Sequence, residues 1–214
     1  MSVNTTEAKL YHALYDFFEE RGYELLMDKK QFRKNTAVGF VNVIFSITQY
    51  AENDAWVEVH LGCRNHHIEQ IAQQFLTSNL LDFRDEANTL IISIGKYNKV
   101  KYFRYKIQGD EDIQITSDSV KEFLQTTGFG FLESLLTLAD VEKALNVYPS
   151  KPCPFLYNQT HRCFKGIVAA KLNENKHLLG LANFYGSYLE KFGTDEDRTR
   201  FKRLLTYLAH YSAN

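Results

Sequence analysis

The sequence predicts an α+β protein: an antiparallel sheet with a leading helix packed on one face, followed by a helical C-terminal half. Three observations carry that expectation. Residues 5–21 place apolar side chains at helical spacing. Residues 38–63 read as one β-hairpin, with period-two alternation on both sides of a polar turn. Beyond residue 117 the recurring patterns are helical. Strands first and helices later, rather than strict alternation, is an α+β order.

In the first helix Leu10, Leu14, Phe17 and Phe18 form the apolar stripe. Thr5 or Thr6 suits its cap, and Gly22 suits a left-handed end. Short strands are expected at 23–27 and 31–34, with Asp28-Lys29-Lys30 as the turn between them. In the hairpin, Val41, Val43, Phe45 and Ile47 share one parity, and Ala55, Val57, Val59, Leu61 and Cys63 share the other strand's. A turn centred on Glu52 sets Phe45 opposite Val59 and Val43 opposite Leu61, because a one-residue slip would oppose an apolar face to a polar one. The second face carries Asn42, Ser46, Thr48, Trp56, Glu58 and His60.

A helix is expected over 66–80 and strands over 89–94 and 102–107, the last with Phe103, Tyr105 and Ile107 in phase. Ser117 or Asp118 caps a helix running to 125, which Gly128 and Gly130 break before another helix over 132–145. All three prolines fall in 148–157, a boundary or surface loop. Helices near 161–172, 175–192 and 196–211 complete the chain. Asp195, Glu196 and Asp197 complement the dipole of the last helix, and Phe201, Leu204, Leu205 and Leu208 form its buried stripe. These patterns divide the chain into a sheet region, 1–116, and a helical region, 117–214, packed together as one compact unit.

Composition narrows the function classes. Twenty-five basic residues nearly balance twenty-six acidic ones, so no global field draws the chain to nucleic acid or to an anionic membrane. No apolar run approaches the roughly 20 residues of a membrane helix, and the N-terminus lacks the pattern of a secretory signal. Three sparse cysteines fit a reducing compartment, so the expected location is cytoplasmic. Asn158-Gln159-Thr160 then matches a glycosylation acceptor by chance.

Candidate chemistry is thin. Glu58, His60, Cys63, His66 and His67 crowd together, but Cys63 has the opposite parity to His60 and the two adjacent histidines diverge on a helix. Cys153, His161 and Cys163 match no common zinc spacing, and read better as packed thiols beside Phe155 and Phe164. No metal and no cofactor are expected. The acidic run Asp110-Glu111-Asp112 reads as a solvated face or turn. Residues 96–106 interleave cations with aromatics, a pattern that stacks bases, yet this acidic run follows at once.

The arrangement as a whole resembles the bacterial domain-of-unknown-function family 4304. The resemblance rests on a leading helix closed by Gly22-Tyr23, then Gln31-Phe32-Arg33-Lys34, and the apolar strand 41–47 with Ser46 and the nearby Gln49. It continues in the strand 56–62, in Val168-Ala169-Ala170-Lys171-Leu172, and in a last helix with Phe201, Leu204, Leu205 and Leu208. It implies no enzyme activity, cofactor or catalytic set, and proteins of this kind are suspected of neutralising toxins. The expectation is therefore a binding protein with an immunity-like or regulatory protein partner. The alternative is a small-molecule binder or enzyme using the open sheet face. Trp56, Glu58 and His60 are the candidate binding residues on either reading.

Overall fold

A computed structural model describes residues 5–51, 54–76 and 85–212. The chain forms two compact units, each drawn from two stretches: residues 1–63 with 92–134, and residues 64–91 with 135–214. Residue 116, where the sequence pattern divides, falls inside a helix of the first unit. Among the described residues the sheet has six strands and is antiparallel, in the order β1 (Glu24–Leu26), β2 (Gln31–Thr36), β3 (Gly39–Ala51), β4 (Asp54–Asn65) and β5 (Leu90–Ser93), with β6 (Tyr105–Ile107) paired to β4.

The first unit is built on the predicted helix, α1 (Thr5–Glu19), and the hairpin strands. Gly22 ends the helix region at φ +75°, the left-handed conformation that glycine adopts without steric cost. Leu10, Tyr11, Leu14 and Phe18 of α1 are buried. Tyr11 meets Phe32 and Phe45 edge-on at 6.0 and 5.7 Å, and Phe18 stacks on Phe32 at 4.0 Å. These contacts seat α1 on the face of β2 and β3 that carries Val41, Val43 and Phe45, all buried as the alternation requires. Val57, Val59 and Leu61 of β4 are buried too. The tip of the hairpin, 52–53, lies outside the described residues.

Three expectations for this unit are corrected. The helix placed at 117–125 begins at Asp110, so the acidic run forms the first turn of α4 (Asp110–Phe123), where the helix dipole favours negative charge. Asp112 accepts the Gln108 backbone N–H, and Asp110 pairs with Lys9 of α1 at 2.6 Å. Gly128 does not break the helix: one π-helical turn, Leu124–Gly128, leads into α5 (Phe129–Glu133). Gly128 is helical, and a Cβ there would meet Leu124 Cδ2 at 2.8 Å, so glycine serves close packing. The strand expected from 102 starts only at Tyr105, because Tyr102 has φ +62°. It follows a short helix, α3 (Ile94–Tyr97).

The second unit surrounds one helix. It contains α2 (His66–Ala72), α6 (Leu138–Asn146), α7 (Gln159–Leu172), α8 (Leu178–Phe192) and α9 (Asp195–His210). The helix expected over 66–80 ends at Ala72, and residues 77–80 lie outside the described residues. Residues 162–170 of α7 are all buried, as in a helix enclosed on every side. Asn158 caps α7, accepting the Thr160 and His161 backbone N–H groups, which gives the Asn-Gln-Thr triplet a structural role. Thr194 and Asp197 form a reciprocal capping box on α9, whose first turn holds the three acidic residues read from the sequence.

Candidate functional site

Trp56, Glu58 and His60 share one face of β4, by alternation, and all three are half-buried. The antiparallel register of β4 with β6 sets Trp56 opposite Lys106 and Val57 opposite Tyr105. Lys106 Nζ lies 5.8 Å from the Trp56 ring centre, within reach of a cation–π attraction. Arg104, just before β6, pairs with Glu58 at 3.6 Å. Burial pushes the His60 pKa below its ordinary value, while Glu58 acts upward and Arg104 downward. The predicted residues thus belong to a strip with two cationic partners that reading β4 alone does not reveal.

The loop entering β6 extends this strip. Residues 96–106 carry Lys96, Lys99, Lys101, Arg104 and Lys106 and no acidic residue. Val100 donates its N–H to Gly95 O at 2.8 Å, and a Cβ on Gly95 would lie 2.6 Å from Phe103 Cβ, so the loop closes tightly over that glycine. Lys99 and Tyr102 both hold positive φ, at 59° and 62°, a conformation costing about 1 kcal/mol or more for a non-glycine residue. The strained loop presents Tyr102 to solvent at 85% exposure, with Lys101 Nζ 4.8 Å from its ring centre.

The cysteines of the two candidate clusters are packed in the interior. Cys63, Cys153 and Cys163 are buried and form no disulfide. The thiols of Cys153 and Cys163 each donate to a backbone carbonyl at 3.5 Å, of Ala144 and Gln159. Burial pushes the Cys163 thiol up to about 12, so it stays protonated and is a poor nucleophile at neutral pH. Among the described residues no three His, Cys, Asp or Glu side chains gather to hold a metal ion.

In the second unit a cleft of about 490 Å³ opens between the proline-rich loop and α8. Two side chains of α7 fix that loop. Arg162, 5% exposed, donates to the carbonyls of Leu145 at 2.9 Å, Tyr148 at 3.0 Å, Pro149 at 3.4 Å and Lys151 at 2.5 Å. Gln159 accepts the Cys153 N–H at 2.8 Å and donates to the carbonyls of Cys153 and Leu156. Charge-assisted bonds of this kind are the stronger ones and hold a wall in place before anything binds. The three prolines mark this loop in the sequence, but nothing there couples it to Arg162 or to the aromatic face of α8.

No helix among the described residues is long and apolar enough to cross a membrane. Comparison of the chain with family models, with curated proteins and with solved structures gives no match.

Proposed function

We propose that this chain is a cytoplasmic binding protein, not an enzyme, that recognises an acidic patch on another protein with the β4–β6 strip and its entering loop. An immunity-like or regulatory role suits such a module. The observation that carries the reading is Tyr102, an aromatic side chain 85% exposed on a strained backbone, beside Lys101 and in a segment that carries five cations. Strain of this kind persists where it serves a function, and exposed tyrosines are common interface anchors. Glu58 within the strip, and the acidic first turn of α4 close behind it in sequence, interrupt the continuous cationic track that a nucleic acid needs. A compact acidic patch on a protein surface suits the strip better. Three buried cysteines that form no disulfide support a reducing compartment.

Affinity capture from native cells tests this with the wild-type chain, Tyr102→Gly and Lys101→Glu as baits. The wild type should retain a partner that raised salt releases, and both variants should lose it. Tyr102→Gly should also melt no lower than the wild type, and up to about 1 kcal/mol higher in stability, because glycine removes the backbone strain. Identical capture by all three baits, or salt-sensitive binding of a single-stranded oligonucleotide in place of a protein, would overturn the reading.

A further inference from the structure

We infer that the cleft of the second unit is a separate binding site for a small planar aromatic anion, such as an aryl carboxylate. This inference does not depend on the β4–β6 reading. Its volume of about 490 Å³ falls within the range of small-molecule sites. One wall offers Pro149 and Pro152, and the other offers Phe184, Tyr188 and Phe192 from α8. Residues 184, 188 and 192 recur every four positions, so their rings line one helix face. Tyr188 and Phe192 stand 4.8 Å apart between ring centres, at a tilt of 43°. Flat rings and proline faces on opposite walls select a flat apolar body.

Charge selects its sign. Lys151 and Arg162 are the charged residues of the lining, with no carboxylate among them. Arg162 is held by four carbonyls, so it supplies a fixed positive field at the floor and not a mobile ligand. Lys151 is exposed at the rim, its Nζ 5.5 Å from the Tyr148 ring centre, and is the group free to meet a carboxylate. Ser150 and Ser187 add neutral hydrogen-bonding groups to the lining. The bonds from Arg162 and Gln159 set the loop wall in advance, so a ligand loses little affinity to ordering it.

Calorimetric titration of the full chain with three probes tests the site: naphthoate, the neutral naphthalenemethanol and the cationic naphthylmethylamine. Naphthoate should bind at about millimolar affinity or better, the range for a ligand of its size, then the neutral probe, and the amine most weakly. Lys151→Gln should weaken naphthoate by about 1.5- to 5-fold and leave the neutral probe unchanged, the effect of losing one exposed ion pair. Phe192→Ala should weaken naphthoate and the neutral probe alike, by about 2- to 12-fold. If Phe192→Ala melts early, Ser187→Trp carries the same test, since it fills the cleft from an exposed position. Equal binding of naphthoate and the amine, no naphthoate binding, or full naphthoate binding by Ser187→Trp would each overturn the inference.

Discussion

At Gly166 a Cβ would lie 2.6 Å from Asn146 Oδ1 and 2.9 Å from the Tyr185 hydroxyl. Those two atoms are bonded to each other at 2.6 Å, and Asn146 also donates to Gly166 O and to Glu142. Glycine inside a helix normally costs about 1 kcal/mol relative to alanine, so Gly→Ala is usually stabilising. Here overpacking and a broken buried hydrogen bond outweigh that gain, and Gly166→Ala should destabilise by about 1–3 kcal/mol in a urea melt. A more stable variant would show that α7 can shift to admit a methyl group. His161 gives a second test at this scale. Burial lowers its pKa from the ordinary 6.5, Lys165 lowers it further, and Glu69 and Asp197 oppose the shift. As pH falls below 6.5 the unfolded chain takes up a proton that the folded chain refuses, so stability is lost until the folded pKa is passed. Between about pH 7 and 5 the wild type should lose more stability than His161→Gln. Parallel pH profiles would remove histidine from the explanation.

Among the elements, the strands were the most legible. A sheet buried on one face writes that face into the sequence as alternation, and Val41, Val43, Phe45, Val57, Val59 and Leu61 are buried accordingly. The candidate strip was half legible for the same reason. Alternation groups Trp56, Glu58 and His60, but Arg104 and Lys106 join them only through the β4–β6 register. Helix α7 was legible as a helix and not as an enclosed one, because its buried charges look like a solvated face. Lys165 is 3% exposed and pairs with Glu69 of α2, itself 0% exposed, at 2.9 Å. Lys165 also donates to Asn88 O, and Glu69 accepts from Gln73. Lys165 is far in the chain from both Glu69 and Asn88, so no local pattern announces the pair. Removing one partner of such a pair leaves a buried charge alone, so Lys165→Met or Glu69→Leu should each cost about 3–5 kcal/mol. The double variant should be less damaged than either single, because the apolar pair leaves no charge behind. Additive losses in the double-mutant cycle would mean that the two charges act through other groups.

At the scale of the whole molecule, chain order and spatial grouping differ. The chain passes between its two units after residues 63, 91 and 134, and the first two passages lie inside β4 and β5. Sequence patterns change character near residue 116 because the strands end there, but the first unit does not. It still requires the rest of α4, of which Ser117 and Val120 are buried, then Leu124 of the π-helical turn and Leu132 of α5. A fragment of residues 1–116 would cut α4 after its second turn and expose the face of α1 on which that helix packs. It would also carry residues 64–91 without the helices that complete the second unit. Both cores would then be open, and neither remaining stretch would bury enough apolar surface to offset the entropy of ordering it. The 1–116 fragment should therefore show weak far-ultraviolet dichroism and no cooperative melt, while the full chain melts cooperatively. A fragment that folded with a sharp transition would show that the sheet region is a domain in its own right, and that the helices beyond residue 116 were added to a complete core.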